Sequence, residues 1–104
     1  MAVEGELDIT EVFNYPNPFS ESTVFSFNFG ATASNSKFNI YTISGRLIKT
    51  IEFEGKFGYN EVDWDGMDAQ GNLLANGVYL YKVIAQKEAG NKVEAIGKLV
   101  IIKR

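Results

Sequence analysis

The sequence contains no cysteine and no histidine. The first absence excludes disulfides, thiolate zinc sites and a cysteine nucleophile. The second removes the commonest general base at neutral pH and the commonest metal ligand. Proline occurs only at Pro16 and Pro18. No apolar run approaches the roughly 18 residues that a membrane-spanning helix needs. Basic residues are missing from the start of the chain. Residues 1–30 hold Glu4, Glu6, Asp8, Glu11 and Glu21 but no Lys or Arg, and the net charge is −3. An acidic chain without a basic cluster is a poor nucleic-acid binder, so no nucleic-acid partner is expected. Met1-Ala2-Val3-Glu4 shows no signal-peptide pattern, and the expectation is that natural sequence precedes it.

What is there suits a β-sheet protein. The 104 residues, 45 % of them hydrophobic, are enough for one domain with its own core. Eight Phe, five Tyr and one Trp favour pleated, half-buried surfaces. The dominant period is two. Phe25, Phe27 and Phe29 alternate with Ser26 and Asn28, and Asn60, Val62 and Trp64 alternate with Glu61, Asp63 and Asp65. Val78–Ala85 and Leu99–Ile102 are nearly continuous apolar runs, which predicts strands covered on both faces.

Seven strands are predicted, at 7–13, 23–29, 36–43, 46–53, 58–65, 77–86 and 92–102. Turn chemistry separates them. Ser44-Gly45 predicts a two-residue hairpin loop, Asp68–Gly71 a type I turn, Asn76-Gly77 a further turn and Ala89–Asn91 the last hairpin. Ala31–Asn35 reads as a loop. No segment has helical periodicity. The expected fold is therefore all-β, a seven-stranded antiparallel immunoglobulin-like sandwich. Phe25, Phe27, Phe29, Ile40, Val62, Trp64, Tyr79 and Val83 are its expected core. Residues 1–6 read as a linker remnant and 7–104 as the domain. The acidic start and the basic end are expected to pair across neighbouring strands.

Two groups of residues invite functional readings. Asn14-Tyr-Pro-Asn-Pro-Phe19 is an extended corner, because each proline fixes φ and removes a donor. Tyr15 and Phe19 are expected to pack over one end of the sandwich, and the alternative is direct contact of Asn14, Pro16 and Pro18 with a partner. Asp63, Asp65 and Asp68 are the weak candidates for a calcium site. They lack the ligand order of an EF-hand, so a structural turn is the plainer reading. As a glycosidase pair, Asp63 and Asp65 lack any sign of a cleft or aromatic subsite. No catalytic residue, cofactor or small-molecule substrate is expected.

Five blocks then carry a resemblance. They are Asn14–Phe19, Phe38–Lys49 with its Ser-Gly turn, Asn60-x-Val-x-Trp-Asp-Gly-x-Asp-x-x-Gly71, Asn76–Val83, and Lys98–Lys103. In this order they resemble two related families: the type A C-terminal sorting domains of the bacterial type IX secretion system, and the Ig-like domain of the flagellar hook-capping protein. The chain ends on the last block, as sorting domains do, which favours the first.

The resemblance implies a transport module and no catalysis. An upstream cargo domain would be carried through the periplasm to an outer-membrane secretion translocon. A sortase-like peptidase would then remove the domain, and the cargo would be released or held at the cell surface. The basic end, Lys98, Lys103 and Arg104, is the expected recognition element; a receptor would grip it and add a strand beside Leu99–Ile102. The plainer reading of these charges is a guard against edge aggregation. The other functional readings are a structural module of the hook-capping type and an accessory binding module of a surface enzyme.

Overall fold

The structure is a computed structural model that describes residues 4–87 and 92–103. Seven strands follow one another: β1 (Ile9–Tyr15), β2 (Thr23–Phe29), β3 (Ala33–Thr42), β4 (Leu47–Gly55), β5 (Gly58–Trp64), β6 (Gly77–Gln86) and β7 (Lys92–Ile101). They form two antiparallel sheets, ordered β1-β2-β5 and β4-β3-β6-β7. The fold is a β-sandwich, as the alternation requires. In the constant-type immunoglobulin arrangement the fourth strand joins the sheet of the first, second and fifth. Here β4 lies beside β3 instead.

The core is aromatic. Phe25 of β2 stacks on Phe38 of β3 at 4.3 Å between centroids and meets Tyr81 of β6 edge-on at 5.0 Å. Phe27 lies 5.3 Å from Phe38 and 5.4 Å from Phe53. These contacts join the sheets, and each buried ring contributes roughly 1.5–3 kcal/mol by removal from water. All eight residues expected in the core are buried, from Phe25 at 0 % to Val62 and Tyr79 at 8 % exposure. Gly97 serves the same core, because a Cβ there would overlap the Tyr81 ring.

Several expectations need correction. Ala33–Asn35 is strand, not loop, with a register shift before Ser36. Small side chains let Ala31 and Ala33 sit fully buried under the sheet, where polarity alone suggested a loop. The β3–β4 hairpin has three loop residues. Thr42 N–H donates to the Arg46 carbonyl at 2.9 Å, so Ile43 belongs to the loop with Ser44 and Gly45. Gly45 at φ 96° takes the left-handed position such a loop requires.

The outer face of the apolar runs of β6 and β7 is covered only in part: Ile84 there is buried at 6 % exposure, but the ends of the runs are open. Val78 is 43 % and Ile102 50 % exposed, whereas Leu99 and Ile101 are fully buried. β7 is an edge strand of its sheet. The expected pairing of the acidic start with the basic end is also absent among the described residues. Both ion pairs there, Lys82–Glu94 and Lys92–Glu94, bridge within β6 and β7. The hairpin expected at Ala89–Asn91 lies outside the described residues.

β1 carries a bulge. Thr10 pairs with Asn28 and Phe13 with Ser26, so Glu11 and Val12 together oppose Phe27. Glu11 sits at φ 55°, the left-handed region, which costs a side-chain-bearing residue about 1–2 kcal/mol. A one-residue change of parity flips every later side chain to the other face. Val12 therefore packs on the core, while Phe13 and Tyr15 point to solvent. Tyr15 is 74 % exposed, so it does not cover the end of the sandwich; Phe19, at 3 %, does.

Candidate functional site

The segment after β1 brings the two expected recognition groups together. Both X–Pro bonds, Tyr15–Pro16 and Asn17–Pro18, are cis. Asn14 is buried, and its Nδ2 donates to Thr23 Oγ1 at 3.1 Å. Thr23 Oγ1 in turn donates to the Pro16 carbonyl at 2.9 Å. These bonds tie the proline segment to the start of β2. The segment then runs beside the end of β7. Val100 N–H donates to Asn17 Oδ1 at 2.9 Å, and Asn17 Nδ2 donates to the Lys98 carbonyl at 3.5 Å. Phe19 N–H donates to the Val100 carbonyl at 3.0 Å, and Ile102 N–H to the Phe19 carbonyl at 2.9 Å. The outward edge of β7 at Val100 and Ile102 is thus already paired by the chain itself. A receptor strand cannot add there, which corrects that part of the expectation.

The loop between β5 and β6 completes the corner. Trp64 Nε1 donates to the Met67 carbonyl at 3.0 Å, and the indole meets Phe19 edge-on at 5.7 Å. Asn76 clamps the chain end. Lys103 N–H donates to Asn76 Oδ1 at 2.8 Å, and Asn76 Nδ2 donates to the Lys103 carbonyl at 3.2 Å. Lys103 Nζ donates to the Leu74 carbonyl at 3.2 Å, so its ammonium is engaged within the corner. Lys98, Pro16 and Pro18 are exposed. Arg104 lies outside the described residues. Phe19, Met67, Leu73, Ile102 and Lys103 line a groove at this corner, with Leu73 65 % exposed at its rim.

The three aspartates do not converge on a site. Asp63 lies on the exposed face of β5 opposite Val24. Asp65 Oδ1 accepts from Met67 N–H at 3.0 Å. Asp68 Oδ1 accepts from Gln70 and Asn72 N–H, each at 2.9 Å. Among the described residues no group of three His, Cys, Asp or Glu could hold a metal ion. Asp65 and Asp68 are turn caps.

The N–H bonds from Asn72, and to a lesser degree Gln70, hold the Asp68 carboxyl below its ordinary value. A depressed folded pKa contributes stability that is present above the unfolded pKa of about 3.9 and lost as pH falls through the folded value. Asp68→Asn keeps the acceptor and removes the titration. Its stability should fall less steeply below about pH 4 than the parent's, in urea midpoints measured against pH. Identical acid limbs would show that Asp68 is not one of the groups linked to acid unfolding.

Sequence reasoning had missed Asn17, Thr23 and Asn76 as the residues that organise the corner. Asn17 lies within the expected motif and Asn76 within an expected turn. Their partners are 83 and 27 residues away, which no local pattern reveals.

The latent dimeric form of PorU from Porphyromonas gingivalis contains a similar structure, with TM-score 0.80 and 24 % identity over 98 % of this chain. PorZ of the same organism is described as an essential bacterial surface component of the type IX secretion system. It is similar over 88 % of this chain, with 26 % identity and TM-score 0.59. This chain spans 10 % of the PorU chain and 11 % of the PorZ chain. FlgD from Xanthomonas campestris, described in terms of hook capping in flagellar assembly, is similar over 93 % of this chain and 70 % of its own, with 20 % identity and TM-score 0.60. No curated protein sequence matches significantly. The profile of the FlgD Ig-like domain family matches residues 17–89, from the proline corner through β6, and the chain belongs to that family.

Proposed function

We propose that this Ig-like domain is a sorting module, which directs a cargo domain through the outer membrane by the type IX secretion system. The observation that carries the reading is the likeness to a short part of PorZ, a surface component of that system. The likeness to an equally small share of PorU agrees with an appended module. In this reading the domain performs no catalysis. It is recognised folded by the translocon and then removed by a sortase-like peptidase, and the cargo ends outside the cell or on its surface. The exposed Pro16, Pro18 and Lys98 at the proline corner are the residues we assign to recognition. The second reading is a structural module of the hook-capping type, favoured by the family match itself.

The test is export. Residues 1–104 are fused behind a signal-peptide-bearing fluorescent protein in a bacterium that has the type IX apparatus. Export to the medium or surface that stops in a translocon-deficient strain is expected. A Lys98→Ala fusion should be exported less well while melting like the parent. A folded, intact fusion retained in the periplasm would overturn the sorting reading in favour of the structural module.

A further inference from the structure

On the outer face of the three-stranded sheet the central strand β2 carries Val24, Ser26 and Asn28, all modest in size, with Ser26 buried at 6 % exposure. On the β1 side, Tyr15 stands beside Val24 and Phe13 beside Ser26. On the β5 side, Asp63, Glu61 and Tyr59 stand beside Val24, Ser26 and Asn28. Cross-strand neighbours of this kind lie about 5 Å apart at Cβ. Three rings are largely open to solvent: Phe13 at 54 %, Tyr15 at 74 % and Tyr59 at 54 %. Tyr59 is held in place, because its hydroxyl donates to Glu61 Oε2 at 2.6 Å and lies 3.1 Å from Ser26 Oγ.

Folding alone does not require this display. The bulge at Glu11 and Val12, with Glu11 in the left-handed region, turns Phe13 and Tyr15 outward. An unstrained continuation of the alternation would have presented Val12 to solvent and buried Phe13. Strain that exposes aromatic rings on one sheet face is a mark of a contact surface.

Charge selects the occupant. Strands β1, β2 and β5 hold Glu11, Glu61 and Asp63 and no Lys or Arg. The ion pairs among the described residues lie on the opposite sheet, so these carboxylates have no basic partner there. The lysines and arginines of the chain fall from Lys37 onward; Lys49 on β4 shares a cleft with Val24 and Asp63 at the rim of this face, and Lys56 lies in the turn that enters β5.

We propose that this face docks an extended Lys/Arg-rich segment of another protein across the exposed rings of Phe13, Tyr15 and Tyr59. Cationic side chains would lie over the Phe13 and Tyr15 rings and against the Glu61 and Asp63 carboxylates. Aromatic rings flanked by carboxylates also suit a sugar, but strands that carry carboxylates and no Lys or Arg favour a cation over a neutral ligand.

The probe is a short synthetic peptide alternating Arg and Ser, titrated into the isotope-labelled 104-residue chain. Saturable binding with amide shift changes concentrated in β1, β2 and β5 is expected. Phe13→Ser with Tyr15→Ser leaves net charge unchanged and should weaken binding about tenfold or more. Glu61→Gln with Asp63→Asn should weaken it similarly and flatten its salt dependence. All four positions are exposed, so both variants should melt close to the parent. Binding indifferent to the aromatic pair would mean general acidity only and would overturn the proposal. Shifts scattered over both sheets would overturn it too, as would preference for an oligosaccharide or self-association through these residues. The outcome is independent of export: a domain that binds the peptide but is not exported upholds this inference alone.

Discussion

Phe25→Ala is expected to lower the thermal midpoint by about 12–40 °C. The ring is fully buried and touches three other aromatics, Phe38, Trp64 and Tyr81. Truncating a buried Phe costs about 3–5 kcal/mol, because the lost transfer energy is joined by a cavity that rigid neighbours cannot fill. Each kcal/mol corresponds to about 4–8 °C for a domain of this size. The neighbours here are poorly able to collapse. Tyr81 is pinned over Gly97, and Phe38 also contacts Phe27 and Phe53. Total stability for such a domain is about 5–15 kcal/mol, so one ring holds a large share of it. Calorimetry or urea titration reads the effect directly. A variant that melts within a few degrees of the parent would show that the two sheets are not held together through this ring.

Ending the chain after Lys98 is expected to abolish the cooperative fold. Leu99 and Ile101 are fully buried, and their burial contributes roughly 1.5–3 kcal/mol each. The loss does not stop there. Phe19 loses its backbone partners Val100 and Ile102, Asn17 loses its bond from Val100, and Asn76 loses Lys103. Phe19 is then uncovered beside Trp64. The sum approaches the whole stability of the domain. Circular dichroism and amide dispersion of the shortened chain test this, with Ile102→Ser as the partner experiment. That side chain is half exposed, so its loss should leave the melt nearly unchanged. A cooperative transition in the shortened chain would remove the corner from the residues that hold the domain together. The expectation also bears on export. A truncated tail that fails to export has lost its fold, so only variants such as Lys98→Ala probe recognition itself.

The strand pattern was legible because side-chain period is local. Phe25, Phe27 and Phe29 announce a buried face in five residues, and β2 and β6 have the bounds that alternation and turn residues predict. The hairpin at Ile43–Gly45 was less legible, since a two-residue and a three-residue loop share the same Ser-Gly signal and differ only in which backbone groups pair. The covering of β6 and β7 was misread for a related reason. An apolar run states that both faces tolerate apolar residues, not that another layer lies on each.

The sequence by itself determined the architecture class and which aromatic side chains face the core, because the alternation that marks them is read from neighbours within a few residues. Only the tertiary structure decided how the ends are used. It laid Asn17 and Phe19 along β7, engaged Lys103 with Leu74, left Asp65 and Asp68 as turn caps, and inserted the bulge that turns Phe13 and Tyr15 to solvent. The physical reason is that these outcomes depend on which backbone donors and acceptors the sheet edges leave unpaired once the strands are assembled. That remainder is a property of the assembled sheets, and no segment of the chain carries it alone.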